Sequence, residues 1–301
     1  MEPVYINGIG ILSSLGIGIE QVRTAVLHNE SGIFKSETYG TECGSIEDLF
    51  DLSDFTETTY HYLDRTAACT IACIRMAMDD SSYIINETNR CSTGLVFGSI
   101  WSCAGTMEKF QQKLIDSDPK YATPFLFSNS FPNSPASTAS IEFGIKGYNT
   151  IFSGCSNSGF MAFSAGYDAM RTSKSDALFT VGADAVSQTV LDYYADIPPN
   201  DSAACILISN QKIESSVEIS NLRIRSGKPF PDDFTGERIQ VIDNRIYLDP
   251  DKETPRGTCM GGAFHSAAVC AADRIREGIT DSCRVEFTAG DSAGYCVLRK
   301  A

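Results

Sequence analysis

The sequence has few basic residues and no long apolar run, and both shortages exclude classes of function. Its 301 residues carry 24 Lys and Arg against 38 Asp and Glu, a formal net charge of −14. A chain this acidic is a poor ligand for nucleic acid or for anionic membranes. No apolar run reaches the roughly 20 residues that a membrane-spanning helix needs. Residues 2–10 resemble a strand without a basic flank, so we expect no signal peptide.

Histidine is scarce, and the cysteines follow no pairing pattern. The 11 Cys residues are scattered, an odd number with no CxxC pair. We therefore expect no metal site, because zinc ligands occur at paired spacings. The same pattern fits a reduced, cytoplasmic setting. Histidine, the usual general base, occurs at three positions: His28, His61 and His265.

One segment, residues 147–184, combines a strand, a tight turn, a helix and a second strand. Residues 149–152 are β-prone, and residues 154–159 (GCSNSG) are a cluster of small turn formers. Residues 177–181 form an apolar strand that Gly182 ends. Between them, large apolar side chains recur at helical spacing: Phe160, Phe163, Tyr167 and Met170.

The turn before this helix, which we call the elbow, has two interpretations. A helix N-terminus favours negative charge, and a Cys placed there tends to ionise. The segment thus fits a nucleophile for acyl transfer. It also fits an ordinary βαβ crossover with a small-residue turn, and spacing alone slightly favours the crossover.

The segment resembles the core of the β-ketoacyl synthases. Their pattern places T-[AG]-C-[TS]-S-G before a helix and a strand that ends in G-G-A-[ED]. Gly147, Ser158, Gly159 and residues 182–184 fit it. Other pieces match the family in the same order: residues 4–16, 63–65, 131–147 and 290–300. The resemblance is specific over the first 190 residues and weak beyond them.

The resemblance implies an α/β, thiolase-like fold. Two βαβαβ halves would stack in an α-β-α-β-α layered sandwich. We expect residues 1–195 to form the N-terminal half. Residues 196–301 would form a shortened C-terminal half without the loops and small elements that complete the active site.

The departures from the family pattern argue against catalysis. An ungapped overlay puts Ser156 at the nucleophile position and Cys155 immediately before it. A Ser is a poor nucleophile without a strong base. The family's two His and its Lys fall on Arg245, Thr258 and Glu253, which cannot polarise a carbonyl or support an oxyanion in the same way. The resemblance therefore implies an inactive homologue.

The resemblance also indicates which residues would meet an acyl chain and which would meet a partner. Candidates for the acyl tunnel are Trp101, Met107 and Phe110, although plain helix packing explains their spacing equally well. Residues 119–135 are expected to form a loop rich in Phe, Ser, Asn and Pro. The interface candidates lie in this loop and around the strand before the elbow: Phe125, Phe127, Phe131, Asn133, Tyr148, Thr150 and Phe152.

The whole pattern is most similar to a chain length factor of a type II polyketide or aryl polyene synthase. Such a subunit lacks the nucleophile, pairs with an active ketosynthase and sets tunnel depth. It is expected to need no cofactor or metal, since the acyl chain arrives on the phosphopantetheine of a carrier protein. An acidic carrier protein should dock mainly on the partner.

Two alternatives remain open. The first is an active acyltransferase or diverged β-ketoacyl synthase that uses Cys155 as the acyl-accepting nucleophile. The second and weaker alternative is a homodimeric lipid-binding module.

Overall fold

The apolar runs of the sequence become the strands of one large mixed sheet. The structure is a computed structural model that describes residues 2–28, 30–46, 49–117, 120, 123–226, 234–248 and 257–301. Its strands are β1 (Tyr5–Ser13), β2 (Gly16–Ile17), β3 (Phe34–Lys35), β4 (Glu42–Cys43), β5 (Thr93–Ser99), β6 (Asn149–Ser153), β7 (Ala177–Asp184), β8 (Ser202–Ser209), β9 (Val217–Ser226), β10 (Glu237–Ile242), β11 (Arg245–Tyr247), β12 (Ser282–Ala289) and β13 (Ser292–Lys300).

The helices connect these strands and cover the faces of the sheet. They are α1 (Ile19–Leu27), α2 (Arg65–Ser81), α3 (Ala104–Asp116), α4 (Pro124–Asn129), α5 (Ser134–Phe143), α6 (Ser158–Arg171), α7 (Gln188–Tyr193) and α8 (Ala263–Arg276).

The sheet contains a similar strand order twice, and the halves differ at the edge strand: β6 is parallel to β5, whereas β11 is antiparallel to β10. In the first half the order is β1-β8-β7-β5-β6, with β5 parallel to β6 and β7, and β8 antiparallel to both its neighbours. In the second half the order is β9-β13-β12-β10-β11, with β10 parallel to β12 and β13 antiparallel to both its neighbours. The halves join where β1 pairs with β9. This repeat confirms the thiolase-like fold.

Helices α6 and α8 lie between the two halves of the sheet and form its middle layer. Their core is aromatic: the Phe160 ring lies 4.9 Å from the Phe264 ring and 5.5 Å from the Phe287 ring, centroid to centroid. Each fully buried Phe contributes about 1.5–3 kcal/mol by leaving water. On the other face of the first half, α2 and α5 cover Leu95 and Phe97. These contacts fix the strand ends that carry the elbow.

The outer face of the second half is built differently. No helix covers it within the residues that the structure describes. Instead, Arg284 and Glu286 project from β12 and are both buried, with the Arg284 Nε donating to a Glu286 carboxylate oxygen at 2.7 Å. The Arg284 guanidinium also lies over the rings of Phe234 and Tyr295. The outermost layer of the second half thus contains no helix in the described part of the chain.

Two predicted elements differ from the structure. The expected loop 119–135 contains α4, which begins at Pro124, because proline at a first helical position has no N–H to leave unpaired. The sequence pattern also predicts one strand over residues 239–247, and the structure forms a hairpin there. Asp243 and Asn244 have φ values of 47° and 61°, and this left-handed pair turns the chain back into β11.

The division at residue 195 stays a prediction. The strand after it, β8, pairs with β1 and β7 of the first half along its whole length. By strand pairing, the chain passes from one half to the other between Ser209 and Val217.

Candidate functional site

The elbow joins β6 to α6 at the carboxyl ends of the parallel strands. Gly154 takes a left-handed φ of 90°, which a glycine adopts without strain, and its N–H donates to the Ser99 carbonyl at 3.2 Å. The Cys155 N–H donates to the Ser158 Oγ at 3.2 Å, and the Ser158 N–H donates back to the Cys155 carbonyl at 2.9 Å. The structure leaves both Cys155 and Ser156 exposed, so it brings both sequence candidates to the start of α6.

The start of α6 rests directly on β5. A Cβ atom at Gly98 would lie 2.5 Å from the Ser158 carbonyl oxygen, so only glycine fits there. The backbone of β5 is therefore in direct contact with the backbone at the start of α6, and this contact supports the elbow.

None of the three histidines serves the elbow. His28 and His61 are exposed at the surface, and neither forms a hydrogen bond with the elbow. His265 is fully buried on α8 against Phe163 and Phe264, and neither ring nitrogen has a hydrogen-bond partner. Burial lowers the pKa of His265 to about 3. This imidazole is neutral and forms no hydrogen bond with Cys155 or Ser156.

The three residues at the positions of the family's two His and its Lys lie in different environments. Thr258 is buried: its Oγ donates to the Asn244 carbonyl at 3.1 Å and accepts from the Met260 N–H at 3.3 Å. Arg245 is half-buried on β11, where its backbone pairs with Ile242 and its side chain forms no hydrogen bond or ion pair with another described residue. Glu253 lies outside the described residues.

Asn244 is a site residue that the sequence analysis missed. It is 5% exposed, although it sits in a two-residue turn. Its side-chain amide lies against the carbonyl oxygens of Ser156 at 3.0 Å and Met260 at 3.2 Å, so the amide nitrogen is assigned to that side as the donor. The Asp-Asn pair was a turn signal, but nothing in the sequence indicated that this turn reaches the elbow.

Asp184, the last residue of β7, forms hydrogen bonds with the segments that follow β5 and precede α8. Its buried carboxylate accepts from the Ser99 Oγ at 2.5 Å, from the backbone N–H groups of Trp101 and Ser102 at 2.8 and 2.9 Å, and from the Gly261 N–H at 2.8 Å. Burial raises the pKa of Asp184, and these hydrogen bonds oppose that rise. One carboxylate thus connects the end of β5 with the entrance to α8.

A second buried carboxylate, Asp201, anchors the loops beside the site. It accepts from the N–H groups of Ile46 at 2.8 Å and Val186 at 2.5 Å, and its oxygen lies 3.3 Å from the Arg65 Nε. Arg65 belongs to the segment that resembles the family's M-D-R. Its role here is to neutralise a buried charge.

The tunnel and interface candidates form two aromatic groups. Phe110 packs on Phe127 with centroids 5.4 Å apart, and Phe127 packs on Phe131 at 4.9 Å. Trp101 instead packs against Tyr193 at 5.0 Å. Met107 is half-buried on α3. Phe110, a tunnel candidate, therefore packs with the interface candidates Phe127 and Phe131. Trp101 belongs to a separate aromatic group.

Three interface candidates are exposed Phe side chains, and three others lie on or beside the edge strand β6. The side chains of Phe125, Phe127 and Phe131 are 65%, 50% and 41% exposed. In the part of the chain that the structure describes, β6 pairs on one side only, with β5. Tyr148, Thr150 and Phe152 lie on or beside β6 and are half-buried, and Asn133, which precedes α5, is exposed.

This geometry agrees with comparisons to known proteins. The family model "Beta-ketoacyl synthase, N-terminal domain" matches residues 1–193. That is more than half of the chain, and the chain belongs to the β-ketoacyl synthase family.

Curated relatives cover the same region. The chain is 26% identical over 190 residues to the 3-oxoacyl-[acyl-carrier-protein] synthase 2 of Vibrio cholerae, covering 61% of this chain and 46% of that protein. The Vibrio harveyi protein of the same name is 27% identical over 156 residues, covering 50% and 38%. The matched part thus spans less than half the length of these relatives.

Solved structures share the fold. A ketosynthase/chain length factor of ishigamide biosynthesis aligns with a TM-score of 0.78 at 16% identity, covering 99% of both chains. A ketosynthase in complex with its chain length factor from Xenorhabdus doucetiae aligns with a TM-score of 0.75 at 12% identity, covering 100% of this chain and 98% of that one. At these identities the likeness establishes the fold alone. None of the described helices is long and apolar enough to cross a membrane.

Proposed function

We propose that this chain is a non-catalytic chain length factor, which pairs with an active ketosynthase and shapes the tunnel that receives the growing acyl chain. The observation that carries the proposal is the elbow itself. The overlay on the family pattern puts Ser156 at the nucleophile position, and no described His, Lys or carboxylate side chain forms a hydrogen bond with Ser156 or with Cys155. Without a base, a Ser hydroxyl at this position remains a weak nucleophile.

The buried polar groups around the elbow support the same proposal. The Thr258 hydroxyl is engaged with the backbone on both sides, and Asn244 holds two carbonyl groups. Groups that are already hydrogen-bonded to the protein are not free to polarise a substrate carbonyl. These residues stabilise the fold at a place where catalytic members of the family would use their side chains for chemistry.

The surface beside the elbow is suited to a protein partner. An open strand edge at β6 and a row of exposed Phe side chains on α4 and beyond it are features that isolated proteins usually cover. Aromatic residues are enriched at protein interfaces. We assign this surface to the ketosynthase subunit, and we place Met107 and Phe110 where the tunnel would meet it.

The net charge of −14 supports the proposal that the carrier protein docks on the ketosynthase subunit and not on this chain. An acidic carrier protein is repelled by an acidic surface, so its docking site would lie on the partner. In this proposal the chain needs no metal or cofactor of its own. The phosphopantetheine of the carrier is part of the substrate. A cytoplasmic location is part of the proposal.

Intact mass spectrometry tests the proposal. The chain is incubated with acyl-loaded carrier protein, alone and with the ketosynthase that co-purifies with it. We expect the acyl mass on the ketosynthase only. An acyl mass on this chain that Cys155→Ala abolishes and Cys91→Ala preserves would overturn it, since Cys91 and Cys155 are the exposed thiols among the eleven cysteines.

One observation favours a second candidate, an acyltransferase that uses Cys155. Its side chain is exposed at the start of a 14-residue helix, where a negative charge is stabilised. The curated relatives are named as synthases. This candidate predicts turnover in the isolated chain, whereas the accessory subunit has none.

A further inference from the structure

The turn between β10 and β11 crosses from the second half of the chain to the elbow. Asp243 is exposed, as expected in a two-residue turn, but Asn244 is buried. A buried amide is costly unless its polar atoms are hydrogen-bonded. The partners of Asn244 therefore explain why this turn sits where it does.

Asn244 joins three segments through four hydrogen bonds. Its side-chain amide faces the carbonyl oxygens of Ser156 and Met260 at 3.0 and 3.2 Å, and because both are acceptors we assign the amide nitrogen, the donor, to that side. Its own backbone carbonyl accepts from the Cys259 N–H at 2.9 Å and from the Thr258 Oγ at 3.1 Å. The elbow, the hairpin and the entrance to α8 are thus fastened at one residue.

We propose that Asn244 is the positioning residue of the elbow. The amide acts on the carbonyl of Ser156, so it fixes the backbone that carries Cys155 and Ser156 and touches neither side chain. Resemblance to the family placed Arg245 at this point of the chain, yet the side chain that reaches the elbow is that of Asn244. The inference does not depend on the accessory role, since an active acyltransferase would need the same positioned elbow.

Hydrogen exchange followed by mass spectrometry tests the proposal. Asn244→Gly retains the left-handed turn, because glycine adopts a positive φ freely, and removes only the amide. We expect elbow amides in residues 154–158 to exchange at least tenfold faster in this variant, with β5 unchanged. Arg245→Ala is the matched control and should leave the elbow at the wild-type rate. A folded Asn244→Gly with wild-type elbow exchange would overturn the proposal.

Thiol alkylation gives an independent readout with an internal reference. Cys155 lies in the elbow, and Cys91 is exposed elsewhere. Freeing the elbow should raise the Cys155 to Cys91 ratio of iodoacetamide labelling at least threefold. General loosening would raise both rates and leave the ratio unchanged, which would contradict a local role.

A second variant covers the case in which Asn244→Gly does not fold. Asn244→Asp has the same size, but a carboxylate cannot donate to either carbonyl, so it should have the same effect. If neither variant folds, hydrogen exchange of the wild-type chain tests the proposal. Because Asn244 binds both segments, the elbow amides and the Cys259 amide should then exchange at similar rates. An elbow that exchanges freely while Cys259 stays protected would overturn the proposal.

Discussion

Glu108 on α3 is hydrogen-bonded to Ser187 at the start of α7, with the Glu108 Oε1 lying 2.7 Å from the Ser187 Oγ. The same oxygen accepts from the Thr189 N–H at 2.6 Å. The short helix α7 is thus anchored to α3 through one carboxylate. At its other end, Tyr193 packs edge-on against Trp101.

Replacing Glu108 should therefore be visible at Trp101. In Glu108→Ala, α7 loses two hydrogen bonds to a charged group, worth roughly 1.5–3 kcal/mol each. Because Trp101 is the only Trp, fluorescence reports on this place alone. We expect a red-shifted emission and faster acrylamide quenching. Glu108→Gln keeps an acceptor oxygen and is the control. An unchanged spectrum in folded Glu108→Ala would show that α7 does not depend on this anchor.

Arg65→Met should destabilise the chain by about 3 kcal/mol, because it leaves the buried Asp201 carboxylate without its cation. Urea unfolding at pH 7 measures the loss. Arg90→Met is the control, since Arg90 pairs with Glu87 at the surface and should cost under about 1 kcal/mol. Equal losses in the two variants would mean that Asp201 is satisfied by its N–H donors alone.

Stability should fall as the solution becomes acidic, through His265. Burial lowers the pKa of His265 to about 3, while an unfolded His titrates near pH 6.5. Below pH 6.5 the unfolded chain therefore binds a proton that the folded chain does not. This group alone removes up to about 1.4 kcal/mol per pH unit between these two values.

The free energy of unfolding, measured with urea at pH 7, 6 and 5, checks this pH dependence. His265→Leu should flatten the dependence by the His265 share, and His28→Gln, at an exposed position, should not. A slope that is the same in His265→Leu and the wild type would assign the acid sensitivity to other groups.

Met107→Ala and Phe110→Ala should lengthen the acyl product made with the ketosynthase, since each removes volume where the proposed tunnel ends. Product length by mass spectrometry is the measurement. Ile115→Ala, on the exposed side of the same helix, is the matched control. Unchanged product length in all three variants would leave Met107 and Phe110 as ordinary helix packing.

The sequence predicted the first half of the fold well. The strand, elbow, helix and strand between residues 149 and 184 are found within a few residues of their expected bounds. Strong period-3.6 and apolar signals, such as those in α6 and β7, are local properties of the chain. Cys155 and Ser156 lie in the turn before α6, where the sequence pattern places a turn.

The sequence could not predict the contacts that cross between the halves. Asn244 reaches Ser156 from 88 positions further along the chain, and no local pattern encodes that distance. The hairpin at Asp243 was missed although Asp243 and Asn244 are a turn signal, because the strands on either side are only six and three residues long. The assignments of tunnel and interface residues stay predictions, since they concern an acyl chain and a partner.

The layered arrangement has a consequence for how such a chain can become smaller. In a stack of layers, every inner layer supports neighbours on both sides, so its loss would expose two apolar faces. Only an outermost layer can be removed at the cost of one exposed face. The described part of the second half lacks helices in that layer, and a buried Arg284–Glu286 pair occupies the face instead. Within the described residues, the middle-layer helices α6 and α8, which support the elbow, are both present.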